Sequence, residues 1–169
     1  FITLFSVGGI SIPVFWLGLA LMLVFSLYLQ WLPPSGMGNG SLLYIILPAA
    51  TLGTFSLSYI ARITRSSMLE SLSQPYVAAA RAKGLSETGV VLKHALKNSL
   101  IPVITLIGLD LGSYLNGAVL TETIFGWDGL GRYALDGIMK RDYPIIMGVV
   151  LFGSMVFVTM NLLVDISYR

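Results

Sequence analysis

Cysteine is absent from the 169 residues, and histidine occurs once. The first absence excludes disulfides, thiolate metal sites and cysteine nucleophiles within these residues, and a lone histidine cannot build a zinc site. Charge is scarce as well. Ten Lys and Arg with eight Asp and Glu make up 11% of the chain, against roughly 25% in soluble domains. Hydrophobic residues reach 56% and mean hydropathy is +0.84, values that belong to a membrane protein. The formal net charge of +2 is too small to point to nucleic acid, and the basic residues gather in one stretch rather than along a face.

That stretch is residues 74–102, QPYVAAARAKGLSETGVVLKHALKNSLIP. Ala78, Ala79, Ala80 and Ala82 favour a helix with a low-relief surface, carrying Arg81 and Lys83. Gly84 supplies a break, because only glycine takes positive φ without steric cost. Ser86 is placed to cap a second helix, with Glu87 in its first turn and Lys93, His94 and Lys97 further on. The expected product is a helix–Gly–helix hairpin between two membrane spans, a knob suited to docking another protein.

Four spans are expected, at residues 12–32, 42–63, 100–120 and 145–164, since a span needs about 20 apolar residues. Gly8, Gly9 and Pro13 would separate an interfacial lead-in from the first, and Trp16 and Trp31 would mark its ends. Pro48 lies inside the second, where neighbouring helices can satisfy the freed carbonyl. Ser67-x-x-Glu70 matches a capping box, but the simpler reading is a helix continuing out of the span. Residues 62–97 hold six Lys and Arg, residues 33–41 none, and residues 122–142 three beside four acids. The positive-inside rule therefore puts the middle loop, 65–97, in the cytoplasm and the other two outside. Asp165 and Arg169 form an i,i+4 pair at the end. Phe1 is not an initiator residue and the chain opens in apolar sequence, so a C-terminal portion of a longer protein is expected.

Two glycine patterns imitate nucleotide motifs. Gly84-x-x-x-x-Gly89 is followed by Val90 and Val91 where a phosphate loop needs Lys and Ser or Thr, so no nucleotide site is expected. Gly129-x-Gly131-x-x-Ala134 lacks any βαβ context and reads as turn chemistry, with Trp127, Leu130 and Tyr133 forming a compact plug. His94 has no Ser or Asp companions at a catalytic spacing, which leaves it as a helix residue of the hairpin. No catalytic residue, cofactor or metal site is expected.

The third span is the polar one. Gly108, Gly112 and Asn116 recur every four residues, a small-xxx-small stripe for close helix packing. Asp110 lies roughly opposite, sharing its side with Val103, Ile107, Tyr114 and Gly117. An intramembrane carboxylate must face water or a polar partner. Either Asp110 and Tyr114 line a transport path, or they make a structural contact between helices.

AAARAKGL followed by HALKNSLIP resembles the cytoplasmic "EAA" loop of the inner-membrane permease subunits of ABC importers for dipeptides, oligopeptides and nickel. ISIPVFWLGL, YLQWLPPSG, ARITRSSMLE, TETIFGWDGLGR and RDYPIIMG are similar to the same family, so the resemblance covers nearly the whole chain. Ala78 stands where that family often has its name-giving Glu, and Asp110 where it usually has a neutral polar residue or histidine. The resemblance implies an all-α polytopic transmembrane bundle, the four C-terminal spans of a six-span permease. It implies a single permease domain over residues 1–169, with residues 74–102 as the loop that docks an ATPase. The partners implied are a second permease, two ATP-binding-cassette ATPases and an extracytoplasmic binding protein, in a bacterial or archaeal cytoplasmic membrane. The implied activity is translocation of di- or oligopeptides, or of nickel or a nickel chelate, by alternating access without an enzyme activity of its own. The rival from another class is an ion-gradient-driven transporter using Asp110. A membrane-embedded hydrolase fails for want of a base beside a nucleophile.

Overall fold

The computed structural model describes residues 12–167, and among these every regular element is helical. The elements are α1 (Val14–Tyr28), α2 (Leu43–Leu72), α3 (Pro75–Ala82), α4 (Glu87–Leu115), α5 (Val119–Ile124), α6 (Leu130–Lys140) and α7 (Tyr143–Ser167). Of the described helices, α2, α4 and α7 are long and apolar enough to cross a membrane. The lead-in glycines Gly8 and Gly9 and the Asp165–Arg169 pair fall partly or wholly outside the described residues.

The first expected span, 12–32, is cut to the 15 residues of α1. At a rise of 1.5 Å per residue that is about 22 Å, short of a roughly 30 Å hydrocarbon core. Pro13 stays extended at its start, and its last six residues, Leu23–Tyr28, open into wide i→i+5 turns. Gln30 then takes a left-handed conformation (φ 54°), and the Trp31 and Leu32 amides turn back to the Phe25 carbonyl at 2.9 and 3.2 Å. Apolar sequence runs on to Leu32, so hydropathy could not mark that stop.

α2 is a single 30-residue helix that passes well beyond Ile63, and Ser67 and Glu70 sit in its continuation rather than at a cap. Its hydroxyls are satisfied locally: Thr51, Thr54, Ser58 and Thr64 donate to carbonyls four residues back at 2.7–2.8 Å. This removes the cost of an unpaired hydroxyl in an apolar medium.

α4 lies between α2 and α7, and it does not reach residue 120 as its composition suggests. It stops at Leu115, where Asn116 follows as the cap and Gly117 takes φ +104°. Its last turn contacts Leu52, nine residues or about 14 Å into α2. Asn116 faces Gly153, ten residues or about 15 Å into α7. The end of α4 thus lies about a third of the way along α2 and about two-fifths of the way along α7, well inside the bundle. The short helix α5 carries the chain the rest of the way out. It ends beside the 33–41 turn, where the Gly36 amide donates to the Phe125 carbonyl at 2.8 Å. Phe125 itself is 2% exposed, wedged against Gly18 of α1.

Candidate functional site

Where α4 stops, three polar side chains from two helices meet. The Ser56 hydroxyl of α2 donates to Oδ2 of Asp110 at 2.6 Å. Since that uses the one serine proton, the Tyr114 hydroxyl is the donor in its own bond to Ser56, and it also lies 3.4 Å from the Leu52 carbonyl. Asp110 Oδ1 receives no hydrogen bond among the described residues and is not enclosed. Asp110 lines a cavity of about 300 Å³ whose walls also include Val14, Leu52, Phe55, Ser113 and Gly117–Thr121. Asp110 and Tyr114, which helical phase places on one side of α4, are therefore brought together. Ser56 is the member that sequence reasoning missed, because Thr51, Thr54 and Ser58 were equally good candidates on the same helix.

The other side of α4 carries the small-residue stripe. A Cβ on Gly108 would collide with the Val164 side chain of α7, and one on Gly112 would meet Met160 at 3.5 Å. One on Gly153 of α7 would strike the Asn116 amide. The pairings run 108 with 164, 112 with 160 and 116 with 153, so α4 and α7 are antiparallel along this seam. Asn116 Nδ2 donates to the Gly112 carbonyl at 3.0 Å, while its Oδ1 is buried and unpaired.

Irregular backbone at this depth needs protein partners for its polar groups. Glu122 supplies them. Its Oε1 accepts from the Ala118 amide at 2.9 Å and its Oε2 from the Arg132 amide at 2.7 Å, tying the start of α5 to the first turn of α6. Glycine lets the two helices approach. A Cβ on Gly131 would stand 2.8 Å from the Val119 nitrogen, and one on Gly117 would meet the Gly131 backbone. The GWDGLGR segment is thus a packing device, in keeping with its reading as turn chemistry. A Glu ten residues from the amide it holds leaves no local signal.

At the opposite end of the bundle the 74–102 stretch forms two helices around a tight turn. Pro75 occupies the first turn of α3, where its missing N–H costs nothing. Gly84 (φ +79°) ends it: the Gly84 amide bonds to the Arg81 carbonyl at 2.9 Å and the Leu85 amide to that of Ala80 at 3.4 Å. This is the paired closure of a Schellman motif. The Ser86 hydroxyl accepts from the Gly89 amide at 3.3 Å, capping α4. Val77, Ala80 and Val90 are buried together against Leu72 and give the hairpin a small core of its own. Ala78, Ala79 and Lys83 remain exposed, so the alanine run presents a surface without Ala80. Across the turn Arg81 Nε meets Glu87 Oε1 at 2.7 Å. The hydrogen bond and charge of Glu87 raise the Arg81 guanidinium above its ordinary range. The same hydrogen bond, against slight desolvation, lowers the Glu87 carboxyl. His94 is half-buried in Val90–Ala95, a run of wide turns through which α4 passes into the bundle without a break.

This arrangement, long apolar helices joined through a basic hairpin, is that of a polytopic membrane component. The chain belongs to the family of binding-protein-dependent transport system inner membrane components, whose profile matches residues 1–169. It is similar to the glutathione transport system permease protein GsiC of Salmonella typhimurium LT2, with 49% identity over 163 residues, 96% of this chain and 53% of that protein. GsiC of Escherichia coli K12 shows 47% identity with the same coverage. The di/tripeptide transport system permease protein DppB of Pseudomonas aeruginosa shows 45% over 189 residues, 96% of this chain and 56% of that protein. The chain spans about half the length of the curated relatives it matches.

Proposed function

We propose that the chain is part of the membrane-spanning permease of an ATP-binding-cassette importer for short peptides, with residues 1–169 in one permease domain. The observation that carries this reading is the hairpin: a capped, self-cored unit that runs rigidly into the helix bearing Asp110. In this reading residues 74–102 lie on the cytoplasmic side and enter a groove on an ATPase subunit through Ala78, Ala79, Arg81, Lys83 and Gly84. Ala80 and His94 hold the hairpin in shape behind them. A second permease, two ATPases and an extracytoplasmic binding protein complete the assembly, and the chain binds no nucleotide itself. Gly108, Gly112 and Asn116 fix α4 on α7, while Asp110 and Tyr114 face the path. ATP acts on this equilibrium only through its different affinity for the inward- and outward-open states. Glutathione and di/tripeptides in the relatives' names support a short peptide over nickel as the cargo.

The test is reconstitution of the full-length chain with its partner subunits. Substrate-loaded binding protein is expected to stimulate ATP hydrolysis and uptake together, and Ala79→Glu to uncouple both while the complex stays inserted. Uptake that persists without any ATPase and follows an ion gradient would replace this reading with the secondary transporter.

A further inference from the structure

The geometry points to a subsite for a primary ammonium group, formed by Asp110 at the broken end of α4. The inference rests on the reading that Asp110 and Tyr114 line the path, and it names what they would recognise there.

Three independent features converge on one cavity. Asp110, which lines the cavity, is fixed by the Ser56 hydroxyl through Oδ2 alone, which leaves Oδ1 without a donor among the described residues and not enclosed. Tyr114 donates to Ser56 and so backs up that orientation. The second feature is the helix end. α4 terminates at Leu115 beside the same cavity, and the last carbonyls of a helix carry a partial negative charge that favours cations. A helix that ends inside a membrane bundle brings that charge where solvent cannot mask it well. The third is the wall. Leu52, Phe55 and Val119 surround the polar spot with apolar surface, and about 300 Å³ suits a small organic group.

The chemistry selects an organic cation over a metal. No group of three or more His, Cys, Asp or Glu is clustered among the described residues, and one carboxylate with hydroxyl neighbours is a poor cage for a divalent ion. An ammonium carries N–H donors for the Asp110 carboxylate, and its organic remainder meets the apolar wall. The free amino terminus of a short peptide has this form.

The test uses the full-length chain assembled with its partners, with any cysteine elsewhere replaced. Ser113→Cys places a thiol on the cavity wall, and Leu120→Cys is a second reporter should the first fail to assemble. The rate of modification by the neutral reagent methyl methanethiosulfonate is measured with alaninamide, whose amine is cationic, or with N-acetylalaninamide, which is neutral. Alaninamide is expected to protect the thiol about tenfold better than its acetylated counterpart, as a charge-assisted hydrogen bond should. Asp110→Asn is expected to erase the difference. Equal protection by the two compounds, no protection by either, or a preference that survives Asp110→Asn overturns the subsite. Uptake is read separately after modification. If the blocked thiol leaves uptake intact, the path reading fails on its own account. If uptake stops but alaninamide has no advantage, the path stands and the ammonium subsite falls.

Discussion

At the hairpin end α4 runs unbroken from the Ser86 cap into the bundle, whereas at its other end it stops well inside the bundle, short of the ends of its neighbours. Both ends are built from glycine, a cap and short helices, one (α3) at the hairpin and two (α5 and α6) at the loop end, yet they are stabilised differently. The hairpin has its own core in Val77, Ala80 and Val90 and closes through backbone hydrogen bonds. The loop end relies on backbone-to-backbone contact at Gly117 and Gly131 and on one carboxylate, Glu122, that serves two helices. Continuity ties the hairpin to the span behind it through unbroken helix. Interruption makes room for a cavity, while the Asn116 and Gly117 amides take up the Gly112, Ser113 and Tyr114 carbonyls at the break.

The sharpest way to break this comparison is to add bulk at the loop end. Gly131→Val would drive a side chain into the Val119 backbone and is expected to cost about 3 kcal/mol or more, leaving little folded protein. Gly53→Val, in open space on α2, is the control and should change the thermal midpoint little despite the same added volume. Next comes the carboxylate. Glu122→Ala should destabilise by about 1–3 kcal/mol for each amide it orphans, and Glu122→Gln, which keeps one acceptor, by less. Hydrogen exchange at the Ala118 and Arg132 amides would report the loss directly.

At the hairpin the expected effects are smaller and local. Ala80→Glu places a charge among Val77 and Val90 and should open the hairpin by about 1–3 kcal/mol, while exposed Ala79→Glu should stay within about 0.5 kcal/mol. Limited proteolysis near Gly84 separates the two, and equal cutting of both variants would remove the distinction. The smallest effect is expected from acid. The Glu87 carboxyl is lowered in the folded hairpin, so its contribution is complete above the ordinary value of 4.5 and is lost as pH falls through the lowered one. Both partners are exposed, and exchange of the Leu85 amide should therefore quicken only slightly, and only in acid.

Much of the hairpin end was legible in the sequence because its signals are local. Gly84, Ser86 and Pro75 each act within four residues, and capping rules read over that range. The long helices α2 and α7 showed themselves by hydropathy. The loop end resisted because its decisive contacts are distant. Ser56 and Asp110 are 54 residues apart, and Glu122 reaches Arg132 across a turn. Periodicity placed Asp110 and Tyr114 on one side of α4, but it cannot say which helix that side meets. Nor could hydropathy find the stop at Leu115, since Ala118, Val119 and Leu120 continue the apolar run.

The wide turns of Val90–Ala95 have a consequence for anyone who grafts or aligns this region. Such a turn holds about one residue more than an α-helical one, and each residue is worth roughly 100° of rotation. A helical wheel drawn straight through α4 therefore mis-aims the hairpin relative to Asp110 by about a quarter of a circle. Removing a single residue between 90 and 95 would leave both halves helical and correctly folded in themselves, yet point the hairpin in a new direction. The number of residues in that short run, more than their identity, sets the bearing of one half of the helix on the other.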